Sequence, residues 1–127
     1  METPSGPKIQ SFTDLIAWQK SHILAVRIYK LTEKFPQRET YSLTDQMRRS
    51  ATSISSNIAE GFSRRSKKEK IQFYYTAKGS LTELQNQLLI ARDVGYLAKE
   101  IFNNVASQTV EISKLITGLI KSAKNNQ

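Results

Sequence analysis

Ser53-Ile-Ser-Ser-Asn-Ile-Ala-Glu-Gly61 carries four small polar residues at 53, 55, 56 and 57, with Ser50 just before them. Serine and asparagine are mediocre helix formers because their side chains compete for nearby backbone groups. Yet Leu43, Met47, Ala51, Ile54, Ile58 and Gly61 recur at spacings of three and four, and this period predicts a helix over 38–62. At 100° per residue, Gln46, Arg49, Ser50, Ser53, Asn57 and Glu60 form a stripe beside that apolar face. Small side chains at this spacing let another helix approach closely, and Asn57 and Glu60 can hydrogen-bond across such a contact. The stripe is therefore expected to be a structural seam for helix or subunit packing. A catalytic pairing of Glu60 as base with a serine nucleophile finds no histidine or oxyanion signature nearby.

Working outward, three more segments carry helical period. The first is expected over 13–34, with Leu15, Ile16, Gln19, Ile23, Val26 and Tyr29 near one face and Thr13 or Ser11 as cap, stopping before Phe35-Pro36. The third, over 66–93, opens on Ser66-x-x-Glu69, a capping-box pattern, and carries Phe73, Ala77, Leu81, Leu84, Leu88 and Ala91 on one stripe before Asp93-Val-Gly95. The fourth, over 97–123, runs through Ile101, Val105, Ile112, Leu115, Ile116 and Leu119. No strand alternation competes, and helices of roughly 33 to 40 Å joined by short links favour an all-α, antiparallel up-down-up-down four-helix bundle. Its bounds are expected at 12–123, with a flexible N-terminal tail over 1–11 and a polar tail over 124–127.

The third segment has a second line of apolar or small residues: Ile71, Tyr75, Gly79, Thr82, Leu89 and Ile90. A helix at the edge of an isolated bundle needs one buried stripe. Gly79 in mid-helix costs about 1 kcal/mol relative to alanine, which close approach of another backbone would offset. Two readings follow, an oligomer seam that includes Gly79 or a third helix that is simply the most buried of the four.

Length and composition bound the chemistry. The 127 residues amount to one domain, and with no cysteine there is neither a disulfide framework nor a thiolate site. With a single histidine, His22, only carboxylates remain as metal ligands, and His22 is expected on the surface or in a seam. No signal-peptide pattern opens the chain and no apolar run approaches the roughly 20 residues that span a bilayer, so a cytoplasmic protein without membrane partners is expected.

The net charge of +8 is uneven, because residues 48–70 hold seven Lys/Arg against two acids. Arg48, Arg64, Arg65, Lys67, Lys68 and Lys70 are the candidate nucleic-acid contacts, since a local basic patch attracts polyanions. The alternative is a solvated face that only aids solubility. Arg48 and Arg49 point in different directions on the helical wheel, placing Arg48 on the surface and Arg49 in the seam. Trp18 and Tyr29 are expected to pack rather than stack on bases.

Phe12-Thr-Asp-Leu15 with Trp18, Phe35-Pro36, Gln46-Met-Arg-Arg-Ser-Ala51, the Ser53 to Gly61 element, Ala77-Lys-Gly-Ser-Leu-Thr-Glu-Leu84 and Gly95-Tyr-Leu97 form a set in this order. The set resembles the bacterial four-helix-bundle proteins encoded in intervening sequences of 23S rRNA genes, and the likeness spans nearly all of 12–120. That family is related to the accessory variability proteins of diversity-generating retroelements, whose members bind nucleic acid and a reverse transcriptase. The resemblance implies a ring-like homopentamer with a polyanion partner and does not imply an enzyme. Two departures stand out: Ala98 occupies a position where relatives often place a Ser or Thr cap, and the first ten residues fall outside the likeness.

In a fivefold ring the basic junction would recur around one rim and give multivalent phosphate contact without base readout. No RNA-recognition, KH, helix-turn-helix or zinc-finger signature is present. The expected function is a non-enzymatic oligomer binding RNA or an RNA/DNA hybrid, with no cofactor. The alternative is an adaptor that docks an acidic or reverse-transcriptase-like protein. An enzyme is not expected, because no motif supplies a nucleophile-base pair, a metal cluster or a phosphate-cradling glycine loop.

Overall fold

The computed structural model describes residues 8–125, and all of its regular structure there is helical. Four long helices are α1 (Ile16–Thr32), α2 (Leu43–Ser63), α3 (Lys67–Asp93) and α4 (Lys99–Asn125), with 3-10 turns at Phe12–Asp14 and Gln37–Glu39. Residues 1–7 and 126–127, most of the two expected tails, lie outside the described residues. Lys124 and Asn125 belong to α4.

Local chemistry sets the boundaries. Ser11 caps the first 3-10 turn, accepting from the Thr13 amide at 3.2 Å, while the Asp14 carboxylate accepts from the Ser11 amide at 3.1 Å. Leu15 is then extended, so α1 begins at Ile16 rather than at 13. The second 3-10 turn likewise delays α2 from 38 to Leu43. The Ser66 hydroxyl accepts from the Glu69 amide at 3.0 Å and starts α3, as the spacing predicts. Gly95, with φ of 89°, ends the α3 turn in the left-handed region, where glycine carries no steric penalty.

Each helix buries a face against its neighbours: α2 packs on α3, α3 on α4, and α1 on both α2 and α4. On α2 the expected stripe is the buried one, from Leu43 through Met47, Ala51, Ile54 and Ile58 to Gly61. On α3 the expected residues are buried except Phe73, which is half-buried, and Tyr74 takes the core position instead. On α4, Val105, Ile112 and Ile116 are buried, Phe102, Thr109 and Ile120 complete the face, and Ile101 is exposed.

On α1 the expected face is wrong. Ile16, Ile23, Val26 and Tyr29 are exposed, whereas Ala17, Ser21, Leu24, Ala25, Ile28 and Thr32 are buried. The buried hydroxyls cost little, since Ser21 donates to the Ala17 carbonyl and Thr32 to the Ile28 carbonyl, each at 2.7 Å. No helix among the described residues is long and apolar enough to cross a membrane.

Candidate nucleic-acid interface

The turn between α2 and α3 is short and polar, and it brings Arg64, Arg65, Lys67 and Lys68 to the surface together. The last turn of α4 joins them: the Lys67 ammonium donates to the Lys124 carbonyl at 3.0 Å, and the Lys124 ammonium reaches the Tyr75 hydroxyl at 3.3 Å. Lys121 is exposed on the same last turns of α4. Composition alone sets 124–127 aside as a polar tail. The usable signal is that α3 and α4 have equal length, 27 residues each, so a short link returns the end of α4 to the start of α3.

The six candidate cations do not act alike. Arg65 and Lys68 are exposed and make no side-chain bond or ion pair to other described residues. Arg64 is partly committed, paired with Glu60 at 2.8 Å and lying over the Phe73 ring at 4.8 Å. Lys70 turns inward, donating to the carbonyls of Phe62 at 2.7 Å and Gly61 at 3.3 Å, so it caps the end of α2. Partial burial lowers the Lys70 ammonium from its usual range.

Arg48 belongs to a different place. Its guanidinium donates to the Thr32 hydroxyl at 2.9 Å and the Tyr29 carbonyl at 3.2 Å and lies over the Tyr29 ring at 4.7 Å. It ties the end of α1 to α2. Sixteen residues separate it from Arg64, roughly 24 Å along a helix.

The expected seam divides as well. The Ser53 and Ser80 hydroxyls meet at 2.8 Å between α2 and α3, and the Asn57 amide donates to the Ser53 carbonyl at 2.8 Å and hydroxyl at 3.0 Å. Ser50 is buried beside them. Arg49 and Glu60 instead form surface ion pairs within α2, with Asp45 and Arg64. Gln46, Arg49, Ser50 and Ser53 line a polar groove of about 440 Å³ with Glu83 and Gln87 of α3. Gly79 is exposed, and a Cβ there would meet nothing within 4 Å, so no helix of this chain packs on it. Tyr75, Leu89 and Ile90 on the same second line are also exposed, which removes the reading of α3 as the most buried helix.

Trp18 is half-buried against the core, edge-on to Phe12 at 5.3 Å and stacked on the exposed His22 ring at 4.8 Å. Where the α1–α2 and α3–α4 links meet, the Tyr96 hydroxyl donates to the Glu39 carboxylate at 2.7 Å. That bond, more than any other contact, holds Glu39 below the usual carboxylate range and raises the Tyr96 phenol.

Residues 13–118 match the family model described as 23S rRNA-intervening sequence protein. The chain belongs to this family. Among solved structures it is similar to a protein of unknown function from the S23 ribosomal protein family of Bacteroides thetaiotaomicron VPI-5482. The two are 27% identical with a TM-score of 0.78, over 84% of this chain and 96% of that one. Comparison with curated proteins finds no match. The intervening-sequence protein therefore shares a four-helix fold with its solved relative, consistent with the resemblance carried by its motifs.

Proposed function

We propose that this intervening-sequence protein is a cytoplasmic, non-enzymatic RNA-binding protein. It would work as a ring of identical copies, each an up-down-up-down bundle, holding RNA phosphates on its basic end. The observation that carries the reading is the convergence of Arg64, Arg65, Lys67 and Lys68 with Lys121 and Lys124 on one end of the molecule. Lysine and arginine on phosphate position a nucleic acid without reading its bases, and ring repetition multiplies weak contacts. Self-association is supported by apolar side chains left outside the core on α1 (Ile16, Ile23, Val26, Tyr29) and α3 (Tyr75, Leu89, Ile90). Five copies is the number implied by family resemblance.

The test is a salt titration of RNA affinity for the wild type and for the double charge reversal Arg65→Glu with Lys68→Glu. Both side chains are exposed, so the fold and oligomer should survive. Affinity should fall at low salt, and the slope of log affinity against log salt should shrink by about one for each phosphate that the variant no longer neutralises. Unchanged affinity and slope would remove RNA from the basic end. It would favour the adaptor reading, in which an acidic or reverse-transcriptase-like protein docks there.

A further inference from the structure

Tyr75 stands apart from Leu89 and Ile90, the other large apolar side chains exposed on α3. It is 50% exposed, and Tyr74 next to it already fills the core position. Its place on α3 lies between two ties to α4. Before it the Lys67 ammonium donates to the Lys124 carbonyl at 3.0 Å, and after it the Lys78 ammonium donates to the Thr117 hydroxyl at 2.9 Å. Lys68, Ile71, Tyr75 and Lys78 follow at spacings of three and four along one face of α3, as do Thr117, Lys121 and Lys124 on α4. No acid occurs over 70–82 of α3 or over 112–125 of α4, so the potential around Tyr75 is positive. The Lys124 ammonium is 3.3 Å from the Tyr75 hydroxyl and 5.6 Å from the ring centre. It therefore sits at the hydroxyl end and orients the ring without lying across its middle. No other ring stacks on Tyr75 among the described residues. Leu89 is fourteen residues further on, roughly 21 Å along α3, so Leu89, Ile90 and the outward face of α1 stay available for contact between copies.

We propose that Tyr75 is a stacking platform for an unpaired base, so that the RNA on the basic end is single-stranded where it crosses α3 and α4. The inference rests on the RNA-binding reading. A ring among cations is the arrangement that holds a single strand: the cations track its phosphates, and a base lays its face on the aromatic side chain. Every base has such a face, so stacking tolerates any sequence, in keeping with a chain that carries no base-reading motif. Within a duplex the face of each base is covered by its neighbours, and Tyr75 is out of reach of a paired base. The cations discriminate less, because lysine and arginine contact the phosphates of either form. Tyr75 therefore supplies what charge alone lacks, a contact made only by unpaired RNA. Lys68 lies two turns before Tyr75 on the same face, roughly 10 Å along α3, so a strand whose phosphates rest on Arg65 and Lys68 brings its next bases to the ring.

The experiment measures binding at low salt, by fluorescence anisotropy, of one mixed-sequence RNA of about 12 nucleotides in two forms, single-stranded and annealed to its complement. The proteins are the full-length wild type, Tyr75→Ala, Tyr75→Phe and Tyr75→Leu. Tyr75→Ala should weaken the single strand on the order of tenfold, the scale of one base–aromatic stack, and leave duplex affinity at its wild-type value. Tyr75→Phe, which keeps the ring, should restore single-strand affinity, whereas Tyr75→Leu, which keeps apolar bulk without a π-face, should not. The salt slope should be the same for all four proteins, because a stacked ring releases no counterions. Arg65→Glu with Lys68→Glu should instead weaken both forms and flatten the slope. Wild-type affinity of Tyr75→Ala for the single strand would overturn the platform and leave the phosphate reading standing. Equal loss for both forms would overturn it as well. So would a Tyr75→Ala protein that fails to assemble in light scattering where the wild type does, since Tyr75 would then belong to the contact between copies. Absence of wild-type binding to either form would overturn both readings.

Discussion

A Cβ at position 61 would lie 2.6 Å from Cε1 of the buried Tyr74 ring and 3.1 Å from Cβ of Phe73. Neither atom is the loose end of a flexible chain, so α2 and α3 approach here only because Gly61 lacks a side chain. Gly61→Ala should destabilise the fold by about 1–3 kcal/mol, the scale of core overpacking, read as a lower urea midpoint. Helical period puts Gly61 on the buried face but is silent about its partner, because Phe73 and Tyr74 lie four and three residues before Ala77 and both fit the period, and only packing gives Tyr74 the core position. Arg48 shows the opposite limit. Composition groups it with the basic patch, yet its hydrogen bonds to Thr32 and Tyr29 make it a cap for α1. Arg48→Gln should lower stability by about 1–2 kcal/mol, as expected for a charged hydrogen bond, and leave RNA affinity and its salt slope unchanged. A loss of RNA affinity in a still-folded Arg48→Gln protein would return Arg48 to the binding surface.

Among elements, α2 is legible because its large apolar residues fall on one stripe with nothing opposite to compete, and α3 because Ala77, Leu81, Leu84, Leu88 and Ala91 hold one stripe despite a second apolar line. For α1 the same rule chose the wrong face. Ile16, Ile23, Val26 and Tyr29 point outward, and the core face is built from Ala17, Ser21, Ala25 and Thr32 around Leu24 and Ile28. Periodicity ranks faces by hydrophobicity, and it cannot see that two buried hydroxyls are satisfied by carbonyls one turn back. The helix start at Ile16 is blurred because Ser11 caps a 3-10 turn with the same chemistry that caps a helix, and the start at Leu43 because another 3-10 turn, Gln37–Glu39, precedes it. Between elements, the Tyr96–Glu39 bond joins the two links and makes stability depend on pH. Glu39 is lowered below its ordinary 4.5 in the fold, so its contribution is present above that value and fades as pH falls through the folded pKa. Tyr96 is raised above its ordinary 10.0, so its contribution is complete below that value and is lost as pH rises through the folded pKa. The stability difference between wild type and Tyr96→Phe should therefore be widest near neutrality and shrink at both extremes, as followed by thermal melts across pH. A difference independent of pH would show that the bond is energetically silent.

For the whole molecule, charge was legible only in part. The run from Arg64 to Lys70 announces a basic junction, but sequence alone could not withdraw Lys70 into the cap of α2 or add the last turns of α4, because both depend on contacts between distant segments. Family membership came from ordered motifs rather than physics, and it supplies the ring expectation that the outward faces of α1 and α3 accommodate. The polar groove was half visible: the α2 stripe reads as a seam, whereas Glu83 and Gln87 join it only through helix packing. The central claim is that identical copies assemble and hold RNA through phosphate contacts on the basic end. It is tested most directly by light scattering coupled to size exclusion, with and without a mixed-sequence structured RNA, at low and high salt. The account predicts a stable oligomer at both salts whose mass rises with RNA only at low salt. A monomer, or an oligomer whose mass ignores RNA at both salts, would contradict it.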